Sequence, residues 1–206
     1  MKAKESSTLV LASRSPRRQQ ILRRHGLVFE IVAPPFDESD LDRVLSPESF
    51  ARTAADGKAA SACRICQPNK YVLGADTVVA LDEQIFGKPA DRDQAGHMLR
   101  MLSGRTHRVI TAVALWRVRA TEARRIALDH DISEVRFRTL DEPTIKAYLL
   151  TGEWTDKAGS YGIQEEGGSL VESYRGDFET VVGLPFALVT KLLRNANVDD
   201  GSYRAQ

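Results

Sequence analysis

The stretch that most constrains the fold of this chain is residues 9–26, LVLASRSPRRQQILRRHG, in which a short apolar run gives way to a polar turn and then to a helical pattern. Ser15 followed by Pro16 is typical of a helix start, because serine is a good N-cap and proline suits the first helical position. Gly26 suits the left-handed conformation that ends many helices. The stretch therefore predicts a strand, a turn and a helix.

Two arginines make the start of this helix unusual. Arg17 and Arg18 place two positive charges in the first turn, where the helix dipole is already positive and carboxylates are the stabilising choice. A bound anion would remove the conflict, held by backbone N–H groups together with hydroxyl and guanidinium groups. We therefore interpret Ser13, Ser15, Arg17 and Arg18 as a candidate phosphate site. The alternative is that the arginines form a solvated helix face and the Ser-Pro pair is only a cap.

A second anomaly lies in residues 71–81, YVLGADTVVAL, where a carboxylate interrupts an apolar run typical of a buried strand. Burying the charge of Asp76 without a partner would be costly, so a metal ion or a cation-lined cleft is expected beside it. Gly74, two residues earlier, would leave room for the close approach of a ligand. The alternative is a structural aspartate that accepts hydrogen bonds from the N–H groups of a turn.

Two lysines are candidates for that cleft. Lys58 lies on the alanine-lined side of a predicted helix, and Lys88 lies on the short loop 86–89, FGKP. For Lys58 the alternative is an ordinary surface lysine that extends its amine into water.

Cap residues and periodicity predict the other elements. Further strands are expected over 28–33, 109–118 and 131–139, and helices after Ser46, Asp91 and Asp141 and from Pro185 to Leu193. Residues 154–164 are dense in glycine and polar groups and are interpreted as a functional loop. The 206 residues contain no long linker, so we expect a single bilobed domain over 1–206, with flexible ends at 1–7 and 196–206.

Composition narrows the function classes. The formal net charge of +1 gives no support to nonspecific nucleic-acid binding. No apolar run is long enough for a signal peptide or a membrane span, so we expect a soluble cytoplasmic protein. Cys63 and Cys66 form a C-x-x-C pair late in a helical pattern, without the further ligands that a zinc site needs and without the strand-then-helix setting of a redox motif.

Taken together, seven motifs in this order resemble the Maf family of nucleoside triphosphate pyrophosphatases across nearly the whole chain. They are LASRSPRR at 11–18, the acidic loop ending in Glu38, GADTVV at 74–79, GKP at 87–89, LSG at 102–104 with His107, DKAGSYGIQ at 156–164 and VVGLP at 181–185. The resemblance implies an α/β fold: a mixed twisted sheet with flanking helices and two lobes around a deep cleft, similar to inosine-triphosphate pyrophosphatases. It also implies hydrolysis of a nucleoside triphosphate to the monophosphate and pyrophosphate with a divalent metal, and a homodimer.

The resemblance also implies residue roles. Asp76 corresponds to the catalytic base, and the phosphate and metal site corresponds to Arg17, Arg18, Glu38, Lys58 and Lys88. Arg17, Thr77 and Gln164 correspond to the positions that separate substrate subclasses, and here they resemble the dTTP/UTP subclass. One departure is visible at 165–166, where Glu165 and Glu166 stand in place of the glycine that commonly follows the Ile-Gln pair.

The chemistry of these residues is consistent with such a substrate. Arg17, Arg18, Lys58 and Lys88 would supply four positive charges to a triphosphate. Mg²⁺ or Mn²⁺, which prefer oxygen ligands, would suit Glu38 and Asp76.

Base selection is expected at Gln164. Uracil and thymine present an N3–H donor beside the O4 acceptor, and the amide of Gln164 can offer the matching acceptor and donor. Because a freely flipping amide would also accept cytosine, discrimination requires that neighbours such as Thr77 or backbone groups hold it in one orientation.

Two alternatives remain open. One is a pyrophosphatase for methylated or other modified nucleotides. The other is a septation-linked regulatory protein that binds nucleic acid through residues 17–24, RRQQILRR. Glu38 and Asp76 would repel a polyanion unless metal is present. The expected partners are therefore a nucleoside triphosphate and a second copy of the chain, with neither nucleic acid nor a membrane.

Overall fold

The structure is a computed structural model that describes residues 8–38, 41 and 44–198. The strands within this part of the chain are β1 (Leu9–Ala12), β2 (Glu30–Val32), β3 (Tyr71–Leu81), β4 (Gln84–Phe86), β5 (Thr106–Val118), β6 (Ala123–Phe137) and β7 (Val171–Arg175). The helices are α1 (Pro16–Arg24), α2 (Pro47–Cys63), α3 (Arg92–Leu102), α4 (Glu142–Thr151), α5 (Phe178–Val182) and α6 (Phe186–Asn195). The predicted α/β class with a mixed sheet is confirmed.

The strands form one sheet in the order β2-β1-β3-β5-β6-β7, with β4 also paired to β3. The β1–β2 and β1–β3 pairs are parallel, whereas the other pairs are antiparallel. The long strand β3 is paired to β5 along one edge over residues 71–80. On its other edge β1 pairs up to Gly74 and β4 pairs from Val79 onward. Residues 75–78 of β3 therefore lie at a gap in the sheet.

Alternation along the strands puts different cores on the two faces of the sheet. On one face, α2 packs its alanines over the even-numbered residues of β3 and β5. On the other face, two separate apolar clusters cover the odd-numbered residues. One cluster includes residues of α1 and α6, and we call the part of the molecule around it the first lobe. The other cluster includes residues of α3 and α4, and the part around it is the second lobe. The boundary between the lobes coincides with the gap beside β3.

Local helix signals were reliable. Ser46, Asp91 and Asp141 are N-caps whose side chains accept hydrogen bonds from the N–H groups of the residues three positions later. Gly152 ends α4 with a φ of 75°, as a left-handed C-cap should.

The strand boundaries differ more from the prediction. The predicted strand 28–33 is reduced to β2, because only three residues find a partner on the short strand β1. β6 starts at Ala123 instead of Asp131, because pairing with β5 extends it through a sequence with little alternation. β7 and α5 were not predicted.

Of the predicted flexible ends, residues 1–7 and 199–206 lie outside the described part of the chain. Residues 196–198 follow α6 as a turn, in which Val198 is buried against the first lobe. Among the described residues, no helix combines the length and the apolar character needed to cross a membrane.

Candidate active site

A cleft of about 1240 Å³ opens at the gap beside β3, between the two lobes. It brings together residues that are far apart in the sequence. Its lining includes every residue for which a site role was predicted, namely Ser13, Ser15, Arg17, Arg18, Glu38, Lys58, Asp76, Thr77, Lys88 and Gln164.

Asp76 lies on the α2 face of β3 and its side chain is almost fully buried. One carboxylate oxygen, Oδ1, is 2.5 Å from the amine of Lys58, while Oδ2 is buried without a hydrogen-bond partner among the described residues. Burial raises the pKa of Asp76, and the positive charge of Lys58 opposes that rise. Because Asp76 lies in mid-strand and contacts a lysine, the alternative of a structural aspartate that caps a turn is wrong.

Close packing of α2 on β3 brings Lys58 to this position. A Cβ added at Gly74 would lie 2.4 Å from the backbone oxygen of Ala55 and 2.8 Å from Cβ of Ala59, so only glycine allows the helix to approach. The space beside Gly74 is therefore occupied by α2, and the interpretation that it admits a ligand is wrong. The side chain of Lys58 is only 13% exposed, which excludes the alternative of an ordinary surface lysine.

Glu38 completes a cluster of three charges. The amine of Lys58 is 2.6 Å from Oε1 of Glu38, so it lies between the two carboxylates. Burial by itself would raise the pKa of Glu38, but Lys58, Lys88 and Arg18 hold that pKa below its ordinary value. Lys58 thus contacts one oxygen of each carboxylate and brings Glu38 and Asp76 close together.

This pair of carboxylates fits a hard divalent cation. The described residues contain no group of three or more histidine, cysteine or acidic side chains that could enclose a metal by themselves. Mg²⁺ is commonly bound by one or two carboxylates together with substrate phosphates and water, so the set is sufficient for it. Cys63 and Cys66 are free, and burial raises the pKa of the Cys63 thiol to about 12, which disfavours zinc at that place.

The guanidinium of Arg18 is engaged with the protein. Its Nε donates to the backbone oxygen of Gly183 at 2.8 Å, and one terminal nitrogen donates to the backbone oxygen of Ala75 at 2.7 Å and to Oγ of Ser13 at 3.4 Å. The other terminal nitrogen donates to Oγ1 of Thr77 at 3.1 Å. These contacts use most of the donors that a guanidinium has. Arg18 therefore ties α1 to β3 and to the turn before α6.

Other predicted anion ligands remain available. Ser15 occupies the N-cap position of α1, but its side chain makes no capping hydrogen bond, contrary to the expectation for a good cap. Arg17 and Lys88 line the cleft and have no hydrogen bond or ion pair with any described residue. The start of α1 thus offers a guanidinium, a hydroxyl and backbone N–H groups to an anion.

Thr77 faces the opposite side of the sheet from Asp76, between the apolar clusters of the two lobes. It belongs to a polar row across three strands, in which Thr77 of β3 pairs with Thr111 of β5 and Thr111 pairs with Asp131 of β6. The hydroxyls of Thr77 and Thr111 are 2.9 Å apart, and Thr111 donates to the backbone oxygen of Thr180 in α5 at 2.8 Å. Sequence reasoning missed Thr111 and Thr180, because only strand register brings them to Thr77.

The loop that carries Gln164 is held through other side chains. Gln164 is exposed in the cleft, and its amide makes no hydrogen bond with any described residue. The orientation that base discrimination by this amide would require is therefore not imposed by the described protein. Glu165 lies 3.6 Å from the amine of the buried Lys157, and the carboxylate of Glu153 accepts the N–H groups of residues 166 and 167. The two glutamates at the departure from the family pattern are thus accommodated.

A buried polar pair supports the second-lobe wall of the cleft. Nε2 of His107 is 2.8 Å from the hydroxyl of Tyr161, and the Phe137 ring packs edge-on against both. Burial lowers the pKa of His107 to about 4, so the imidazole is neutral near pH 7.

Comparisons with known proteins agree with the motif resemblance. A family model described as Maf-like protein matches residues 8–196. A dTTP/UTP pyrophosphatase of Bacillus velezensis is 44% identical over 190 residues, covering 92% of this chain and 97% of the relative. Proteins of the same description from Shewanella oneidensis and Aquifex aeolicus are 43% and 40% identical, covering 92% and 95% of this chain and 98% of each relative. The solved structure of a HAM1 protein from Coxiella burnetii is similar with a TM-score of 0.47 and 15% identity, covering 90% of this chain and 98% of that one.

Proposed function

The chain belongs to the Maf-like protein family, and from this premise we propose that it is a nucleoside triphosphate pyrophosphatase that prefers dTTP and UTP. The reaction adds water across the α–β phosphoanhydride bond: a P–O bond to the water oxygen forms, the bridging P–O bond breaks, and a nucleoside monophosphate and pyrophosphate leave. The curated relatives described as dTTP/UTP pyrophosphatases support this assignment over nearly the whole chain.

The observation that carries the proposal is Oδ2 of Asp76, a cleft residue, which has no hydrogen-bond partner within the part of the chain that the structure describes. Lys58 binds the other oxygen and so holds the carboxylate in one orientation. Oδ2 is then the atom that takes a proton from the attacking water. Because burial raises its pKa, the carboxylate is a stronger base than an exposed aspartate once it is ionised.

The charged walls of the cleft suit a polyphosphate. We assign the phosphate chain to Arg17, Lys88, the Ser15 hydroxyl and the first N–H groups of α1. Arg18 contributes its charge and keeps the start of α1 in place, since most of its donors are already used. The substrate can therefore bind without breaking the contacts through which Arg18 joins α1 to β3 and to the turn before α6.

We assign a divalent cation, Mg²⁺ or Mn²⁺, to Glu38 and Asp76. When bound, such an ion neutralises phosphate charge and stabilises the charge that develops on the oxygens. The positive charge of Lys58 lies between the two carboxylates and offsets their mutual repulsion. We also propose, from the family resemblance, that the protein is a homodimer, which sedimentation would test.

The test is pyrophosphate release from a panel of nucleoside triphosphates that includes dTTP, UTP, CTP, the purine nucleotides and 7-methyl-GTP. We expect activity with Mg²⁺ or Mn²⁺ and none after chelation, with dTTP and UTP preferred. Preference for 7-methyl-GTP would favour the alternative of a modified-nucleotide pyrophosphatase. Salt-dependent DNA binding without hydrolysis of any nucleotide would overturn the proposal.

A further inference from the structure

We propose that Thr111 is a positioning residue that fixes the hydroxyl of Thr77 as a hydrogen-bond acceptor toward the cleft, and that this acceptor selects uracil and thymine over cytosine. The proposal rests on the proposed function, because it concerns how that activity distinguishes bases. Its starting point is the polar row between the two lobes.

The direction of the Thr77 proton follows from counting donors. The backbone oxygen of Thr180 can only accept, and Thr111 is the hydroxyl that donates to it, at 2.8 Å. The single proton of Thr111 is thereby used. The 2.9 Å contact between the hydroxyls of Thr77 and Thr111 must then be a donation from Thr77.

The contact with Arg18 agrees with this direction. A guanidinium has only donors, so Oγ1 of Thr77 accepts from it at 3.1 Å. Thr77 then donates its one proton to Thr111, accepts one hydrogen bond from Arg18 and retains one lone pair. Since Thr77 lines the cleft, that lone pair is what it offers to a ligand.

The reverse arrangement satisfies fewer groups and would leave Thr77 without a free acceptor. If Thr111 donated to Thr77, the Thr180 oxygen would lose its 2.8 Å bond, and the Thr77 proton would turn to the Gly183 oxygen at 3.5 Å. Both lone pairs of Thr77 would then be used, by Thr111 and by Arg18, and the hydroxyl could offer a ligand only its proton. The arrangement that keeps the 2.8 Å bond to the Thr180 oxygen satisfies more groups, and in it the hydroxyl of Thr77 can meet a ligand donor but not a ligand acceptor.

The surroundings prevent an easy rearrangement. Thr111 and Thr180 are fully buried, and a Cβ added at Gly183 would lie 3.2 Å from Oγ1 of Thr77. Gly183 also has a φ of 119°, which disfavours any other residue. Thr111 of β5 and Gly183 thus lie against the hydroxyl of Thr77.

The ligand group that fits a fixed acceptor is an N–H donor on the base edge. Uracil and thymine carry N3–H, whereas N3 of cytosine is an acceptor and would face a lone pair. The amide of Gln164 can flip to suit either edge, because no described residue holds it. Thr77 is consequently the group that can discriminate, and its ability depends on Thr111.

The experiment measures kcat/KM for UTP and CTP in Thr111→Val, which keeps the side-chain shape and removes the hydroxyl. The proton of Thr77 loses its acceptor and can turn to N3 of cytosine, so we expect the UTP/CTP ratio to fall roughly tenfold. The separate variant Thr111→Ser keeps the hydroxyl and should have the same UTP/CTP ratio as the wild type.

The matched control is Ser133→Ala. The hydroxyl of Ser133 is also buried and donates to a backbone oxygen of the same segment, that of Asp177 at 2.9 Å, but it makes no hydrogen bond with Thr77. Its loss should leave the UTP/CTP ratio unchanged. An equal fall of the ratio in Ser133→Ala would overturn the proposal, because it would assign the effect to general loosening.

Thr77→Val keeps the proposal testable if Thr111→Val does not fold. This variant lacks the acceptor itself, and kcat/KM for UTP should fall while that for CTP does not. A folded Thr111→Val or Thr77→Val enzyme with the wild-type UTP/CTP ratio would overturn the proposal and leave the pyrophosphatase assignment intact. If these variants changed only the UTP/dUTP ratio, the proposal would also be overturned. The ligand group that donates to Thr77 would then be a sugar hydroxyl and not N3–H of the base. Absence of hydrolysis of any nucleotide by the wild type would instead refute the proposed function.

Discussion

Asp76 and Thr77 are neighbours on β3, yet they face opposite sides of the sheet and have different surroundings. Asp76 lies under α2 in a cluster of charges with Lys58 and Glu38, and one of its oxygens has no hydrogen-bond partner among the described residues. Thr77 lies between the two lobes, where Thr111 and Arg18 both hydrogen-bond its hydroxyl. Both side chains reach the same cleft because the sheet has its gap there.

The different surroundings of Asp76 and Thr77 suit two different requirements of an enzyme. A group that must change its protonation state needs a free atom and an environment that shifts its pKa. A group that must discriminate between bases needs a fixed donor or acceptor, because a mismatched ligand is rejected only if the site cannot adapt. We therefore expect changes on the Asp76 face to lower the rate with every nucleotide, and changes on the Thr77 face to alter the ratio between nucleotides.

The largest effect should come from Asp76→Asn. The amide keeps the shape but cannot accept the proton of water, so kcat should fall on the order of a hundredfold or more with dTTP and with UTP alike. Nucleotide affinity, measured by equilibrium binding, and the cooperative unfolding transition should be largely retained. A folded variant with undiminished turnover would remove Asp76 from the chemistry.

Lys58→Ala should affect both the rate and the stability. Removing the amine leaves a buried carboxylate without its cation, which should cost about 1 to 3 kcal/mol in the free energy of unfolding. The pKa of Asp76 should rise further, so the acid limb of the kcat/KM profile should move to higher pH. The matched control is Lys88→Ala, an exposed lysine, whose loss should change stability by no more than about 0.5 kcal/mol while still raising KM. Equal stability losses in the two variants would contradict the buried ion pair.

Low pH should lower the stability of the protein through His107, which lies on the Thr77 side of the sheet. The pKa of this imidazole is about 4 in the folded state, below its ordinary value of 6.5, because it is buried. Protonation in the unfolded state is then favoured below pH 6.5, so stability is complete above that pH and declines as the pH falls towards 4. Between about pH 7.5 and about pH 5 the loss should be on the order of 2 kcal/mol. Denaturant titrations at both pH values should show this loss in the wild type. In His107→Gln, which lacks the imidazole, the free energy of unfolding should fall by about 2 kcal/mol less between the same two pH values.

The smallest effect on selectivity should come from Gln164→Ala. Because no described residue holds the amide of Gln164, its loss should lower kcat/KM for UTP and CTP together and change their ratio by less than about tenfold. The comparison is with Thr77→Val in the same assay. A larger change of the ratio in Gln164→Ala than in Thr77→Val would place base discrimination on the loop instead of the strand.

Much of the site could be predicted because several of its residues are energetically unfavourable within their own short stretch of sequence. Two arginines at a helix start and an aspartate in an apolar strand are unfavourable unless a ligand or a partner is present, and both proved to line one cleft. Arg18 shows the limit of this reasoning. The conflict identified it, but its main contacts, with Gly183, Ala75 and Thr77, lie 165, 57 and 59 residues away and could not be predicted.

The sequence by itself determined the starts of α2, α3 and α4, since a cap is formed by residues within a turn of each other. It also determined which residue types would need a partner, because an unpaired charge in an apolar run is costly wherever it lies. Only the tertiary structure decided which partners they received. Lys58 reaches Asp76 through the packing of α2 at Gly74, and Thr111 reaches Thr77 through the register of β3 and β5. A shift of that register by one residue would turn Thr111 to the other face of the sheet, so the polar row depends on strand pairing that no local pattern encodes.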